Sequence, residues 1–129
     1  MILLFVDLLN SVVIEDILES PEPFGYRNKG EFTFGPDSES RQSLGFRVSS
    51  YPIVRVDPPD SVPNIPHVMK RICRAFIDFL NTEGLPRLKV YDQLNHTGVY
   101  RILTIRYSRR TRGLLLMLCV SLKETGKML

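Results

Sequence analysis

The sequence predicts an α+β fold, an antiparallel sheet of hairpins with one main helix and a second, N-terminal helix, forming a single partial domain. Three observations carry that prediction. Several stretches alternate in polarity with period two between turn-forming residues, the pattern of half-buried antiparallel strands. One long central run repeats its apolar residues at helical spacing. Strands and helices are grouped rather than alternating one for one, which favours antiparallel connections over parallel crossover units. At 129 residues and 43% hydrophobic content, the chain has room for one domain with a core of its own.

Residues 1–19 place Leu4, Leu8, Val12, Ile14 and Leu18 on one side of an amphipathic helix. Asp7 and the absence of a basic leader argue against a secretory signal. The apolar stretch is also shorter than the roughly 20 residues that span a bilayer, so no membrane partner is expected. Ser20-Pro21-Glu22-Pro23 ends this helix, because proline denies backbone donors and forces extended geometry. In the strand that follows, Tyr26, Asn28, Gly30, Phe32 and Phe34 share one side, with Arg27, Lys29, Glu31 and Thr33 on the other. A polar loop at 35–40 joins it to a second strand at 44–48.

A short strand is expected at 53–56, followed by an irregular link containing Pro58, Pro59, Pro63 and Pro66. From near Pro66 to about Thr82, the residues Ile65, Met69, Ile72, Phe76 and Phe79 or Leu80 define the main helix, with Gly84 and Pro86 as its stop. Strand patterns return at 88–91, 99–107 and 114–121, the last two joined as a hairpin through 108–113.

The net charge of +3 is mild, but five of the 17 basic residues, Arg101, Arg106, Arg109, Arg110 and Arg112, fall in one twelve-residue window. A second cluster is Arg27 with Lys29. Tyr100 and Tyr107 interleave with the larger group, an arrangement suited to phosphate contacts beside a stacking surface. The plainer reading is a solvated hairpin whose arginines protect a strand edge from aggregation. Bond-making chemistry has little support. His67 and His96 lie 29 positions apart without ligands at metal-binding spacing, and neither a nucleophile elbow nor a glycine-rich phosphate loop occurs. Cys73 and Cys119 each sit in an apolar pattern, which predicts buried, unreactive thiols. Two separated cysteines also suit a reducing compartment, cytoplasm or nucleus, rather than secretion.

The run Ser20-Pro21-Glu22-Pro23-Phe24-Gly25-Tyr26-Arg27-Asn28-Lys29-Gly30-Glu31-Phe32 is more specific. It resembles the segment that opens the domain ahead of the catalytic one in the RNA uracil-5-methyltransferase family. Leu44-Gly45-Phe46 and Asn95-His96-Thr97-Gly98-Val99-Tyr100-Arg101-Ile102-Leu103-Thr104-Ile105-Arg106 continue the likeness in order, over roughly residues 20–122, nearest to the eukaryotic tRNA members. The resemblance implies that residues 20–129 are that central domain of an enzyme forming 5-methyluridine in the tRNA T-loop with S-adenosylmethionine. The family's nucleophilic cysteine, glutamate base and cofactor loop have no counterpart here. The implied chain is therefore a fragment, inactive alone, that binds no cofactor itself and works with RNA and with a missing or separate catalytic domain. Arg27, Asn28 and Lys29 match the first motif and Tyr100, Arg101 and Arg106 the second; Arg109, Arg110 and Arg112 join the candidate RNA-binding set on charge alone. A standalone RNA-binding module and a docking subunit without catalysis remain the alternatives.

Overall fold

The computed structural model describes residues 12–50, 52–83 and 89–121. Strand β1 (Lys29–Pro36) buries Gly30, Phe32 and Phe34 on one face and leaves Glu31 exposed on the other, as period two requires. The turn after it is capped by the Asp37 carboxylate, which accepts from the Glu39 and Arg41 amides at 2.8 and 2.9 Å. Strand β2 (Gln42–Arg47) then returns, setting Leu44 beside Phe34 and Gly45 beside Thr33. Beyond a two-residue strand β3 (Val56–Asp57), the proline-rich link contains one 3-10 turn (Pro59–Ser61) and leads into α1 (His67–Thr82). Strands β4 (Tyr100–Tyr107) and β5 (Leu114–Val120) complete a five-stranded sheet in the order β3-β2-β1-β4-β5, with every neighbouring pair antiparallel.

Helix α1 covers one face of this sheet. Met69, Cys73 and Leu80, with Ile65 just ahead of the helix, close over Phe32, Phe34, Leu44, Leu103 and Ile105. Burial of each large side chain stabilises the fold by about 1.5–3 kcal/mol. Leu80 is buried and Phe79 is 42% exposed, so the inward position at the end of the helix belongs to Leu80. Strand β5 lies at the sheet edge, and its large apolar side chains are 38–52% exposed along its whole length. No helix among the described residues is long and apolar enough to cross a membrane.

Four local expectations need correction. The N-terminal helix expected at 1–19 falls partly outside the described residues, and its described part, 12–19, is irregular and exposed. Val12, Val13 and Ile14 are β-branched, and Ile14, Ile17 and Leu18 are 92, 93 and 96% exposed, so no packing stabilises a short helix there. The first strand begins at Lys29 instead of Tyr26: the Gly25 and Arg27 amides donate to Pro63 and Asn64 carbonyls of the proline link, which pulls that segment out of the sheet. Near residue 90 there is no full strand but isolated bridges, Val90 with Tyr100 and Asp92 with Thr97; part of the expected 88–91 strand lies outside the described residues. Cys119 is exposed, because among the described residues no element packs over β5.

Candidate nucleic-acid interface

The register of the sheet brings the two basic motifs together. Lys29 pairs with Arg106 across β1 and β4, and the Tyr107 amide donates to the Asn28 carbonyl at 2.9 Å, so the strand lead-in at 26–28 lies beside the β4–β5 hairpin. The hairpin turn is closed by the Ser108 amide on the Gly113 carbonyl at 3.0 Å and braced by the Ser108 and Thr111 hydroxyls. Arg112 adopts φ 55°, a left-handed conformation that completes the reversal. Between lead-in and hairpin runs a cleft of about 610 Å³, with Tyr26, Arg27 and Asn28 on one wall and Arg106, Tyr107 and Arg110 on the other. Arg27, Arg106 and Arg110 have no carboxylate partner among the described residues. Three guanidinium groups beside two phenol rings form a concave positive surface suited to phosphates and an unstacked base.

Not every residue singled out in the sequence joins this cleft. Lys29 is paired with Glu31 at 2.6 Å, a contact that holds the Glu31 carboxyl below its ordinary range through the Lys29 hydrogen bond and charge. Tyr100 packs inward, its ring centroid 5.5 Å from that of Phe34. Arg101 stacks over the Tyr91 ring at 4.6 Å, toward the end of β4 away from the hairpin. Arg112 stands at the turn tip, outside the lining. Arg109 lines the cleft, but its side chain is tied to Glu22 and to the Gly25 carbonyl. The period-two reading set Tyr26 on the strand side shared with Phe32 and Phe34, yet Tyr26 is 53% exposed at the cleft while those two are buried.

Among the described residues the cleft lining offers no thiol, imidazole or carboxylate for covalent or acid–base chemistry. Cys73 is buried beneath the sheet, and that burial, reinforced by the Asp60 charge, pushes its thiol up to about 12. His67 is exposed on α1, and His96 is engaged through Nδ1 with the Tyr91 hydroxyl at 3.0 Å, in a turn. No group of three or more His, Cys, Asp or Glu that could hold a metal ion occurs among the described residues.

Fold and cleft thus define an α+β domain with a basic, tyrosine-bearing cleft between the β1 lead-in and the β4–β5 hairpin. No protein-family model matches the chain. Among curated proteins it is 30% identical over 99 residues to the zinc finger CCCH domain-containing protein 24 of Arabidopsis thaliana, a match covering 75% of this chain and 12% of that protein. It is also 30% identical over 104 residues to the human tRNA (uracil-5-)-methyltransferase homolog A, covering 78% of this chain and 16% of that one. The fold is similar to that of the Pyrococcus abyssi tRNA (uracil-54, C5)-methyltransferase in complex with S-adenosyl-L-homocysteine: TM-score 0.61 at 18% identity, over 86% of this chain and 25% of that structure. The chain belongs to the RNA uracil-5-methyltransferase family by sequence, and spans between an eighth and a sixth of the length of the two curated relatives described.

Proposed function

We propose that this chain is the domain preceding the catalytic one of a tRNA uracil-5-methyltransferase, and that its cleft holds the RNA while methyl transfer takes place elsewhere. The observation that carries the proposal is the convergence of Arg27, Arg106 and Arg110, from segments about 80 positions apart, on one cleft that also exposes Tyr26. Neutralising phosphates with these groups releases counterions, so affinity depends on salt, and a phenol ring accepts a base without demanding its identity. In this reading the partner is RNA, a tRNA T-loop in particular, and the chain works inside the cell, in cytoplasm or nucleus.

S-adenosylmethionine is the methyl donor implied by the family, and the described residues do not fit it. Helix α1 begins after Pro66 with no glycine-rich turn before it and no side-chain cap at its first turn. No step of the transfer is therefore assigned to this chain, which is inactive alone. The exposed apolar strand β5 supports the further reading that a catalytic domain, covalently joined or separate, seats against this edge of the sheet.

The test is binding of a labelled T-loop stem-loop RNA, followed by fluorescence anisotropy across a salt series. The R27A/R110A double variant is expected to lose roughly tenfold to a hundredfold in affinity, with a salt slope shallower by about 1.4–1.8. Binding that is indifferent to salt and to both arginines would overturn the reading. Methyl transfer by this chain alone, with S-adenosylmethionine and the same RNA, would overturn its assignment as a non-catalytic domain.

A further inference from the structure

Arg109 differs from the other guanidinium groups of the cleft. Its Nη2 donates to the Gly25 carbonyl at 2.7 Å and its Nη1 pairs with the Glu22 carboxylate, so both arms of the fork engage a segment 84 or more positions away. That segment is held from its other side as well. The Gly25 amide donates to the Pro63 carbonyl at 2.8 Å and the Arg27 amide to the Asn64 carbonyl at 3.1 Å. Gly25 itself sits at φ +55°, a conformation that turns the chain so that its carbonyl meets Arg109. The wall bearing Tyr26 and Arg27 is thus held between the proline link and Arg109, and before Lys29 it meets β4 through the Asn28 carbonyl, which accepts from the Tyr107 amide.

We propose that Arg109 is the positioning residue of the cleft: it clasps residues 22–25 to the β4–β5 hairpin and so sets Tyr26 and Arg27 opposite Arg106 and Arg110, which hold the RNA. This rests on the reading of the cleft as an RNA site. It separates two adjacent arginines that charge alone cannot tell apart, assigning Arg110 to the ligand and Arg109 to the wall.

Glu22 makes the assignment testable through the sign of an effect. Removing its charge raises the positive potential of the cleft and frees Arg109, so if Arg109 were a phosphate ligand, E22Q would bind RNA more tightly. As half of a clasp, its loss binds RNA more weakly.

The experiment uses the full 129-residue chain, a fluorescein-labelled T-loop stem-loop RNA and amide hydrogen exchange on the free protein. E22Q is expected to weaken binding about threefold and R109A about tenfold, with the double variant no weaker than R109A, as for two partners in one contact. R110A weakens binding and lowers the salt slope by about 0.7–0.9. In E22Q and R109A the Gly25 and Arg27 amides exchange several-fold faster, while those of Phe32 and Phe34 are unchanged. Tighter binding by E22Q, or unchanged exchange at Gly25 and Arg27, would overturn the clasp. If the parent chain shows no salt-dependent RNA binding, the reading of the cleft fails and the exchange rates alone judge whether Arg109 holds the wall.

Discussion

Replacing Gly45 with alanine adds one methyl group where the fold has no room for it. Gly45 lies in β2 beside Thr33, and a Cβ built on it runs into the Asp57 carbonyl oxygen, with the Asp57 carbonyl carbon at 2.8 Å and Pro58 Cα at 2.9 Å. All three obstacles are backbone, so no side-chain rotation relieves the contact. Strand β3 must move, which opens its pairing of Phe46 with Asp57 and Arg47 with Val56 and exposes part of the fully buried Val56. Overpacking of this kind costs about 1–3 kcal/mol, and partial exposure of a valine adds about 1 kcal/mol. The expected loss is about 3 kcal/mol, a large share of the roughly 5–15 kcal/mol that stabilises an ordinary domain. In urea, with a slope of about 1.5 kcal/mol per molar, the unfolding midpoint falls by roughly 2 M. Gly113→Ala is the control: the added Cβ meets Thr111 Oγ1 at 3.2 Å, the end of an exposed side chain that can turn aside, so the change stays within about 0.5 kcal/mol. A Gly45→Ala midpoint within about 0.3 M of the parent would refute the steric account of this glycine.

Three further outcomes follow from the same structure. At pH 8 a disulfide-exchange reagent should titrate one thiol quickly, Cys119, and reach Cys73 only on unfolding, since burial holds that thiol at about 12; two fast thiols, or loss of the slow one in C119S, would contradict this. The Asp92 carboxyl is held below its ordinary range by the Asn95 side chain and by the Leu94 and Asn95 amides, so its contribution to the 92–97 turn is complete above the ordinary value near 3.8 and lost as pH falls through the depressed one. Amide exchange at Leu94 should rise in that acid window for the parent but not for D92N, and identical profiles would remove the assignment. Replacing Leu116 and Met117, 46% and 52% exposed, with lysine should abolish apolar-dye binding and concentration-dependent sedimentation while lowering stability by no more than about 2 kcal/mol; a parent chain that shows neither behaviour would mean that β5 is not an open surface.

Most of the secondary structure was legible because local rules and tertiary packing agree. The main helix spans the apolar repeat its sequence carries, and β4 and β5 fall within a residue of the expected strands, since alternation and the polar turn between them leave few other arrangements. The Leu44-Gly45-Phe46 likeness to the family has a physical basis as well: Leu44 enters the core, Phe46 meets Phe32 at 5.4 Å, and Gly45 lets β3 approach. What was not legible depends on partners distant in the chain. Tyr100 and Tyr107 look alike in sequence and both pack against the core, yet only Tyr107 also lines the cleft. Nothing local separates Arg109 from Arg110, because the difference lies in Glu22 and Gly25 on a segment brought alongside by the sheet.

Strand β5 misled for a related reason, and the error bears on function. A run such as Leu114-Leu115-Leu116-Met117-Leu118-Cys119-Val120 has the composition of a strand buried on both faces, and burial was inferred for Cys119 on that ground. In the fold the strand lies at the sheet edge and remains half exposed on both faces. Composition and environment agree only if another surface covers this strand, which is why the proposed function gives it a catalytic domain as neighbour. The same hairpin carries Arg106, Tyr107 and Arg110 into the cleft. Whatever seats on β5 therefore stands next to that cleft, so under the proposed function this domain determines where methyl transfer, carried out elsewhere, meets the RNA.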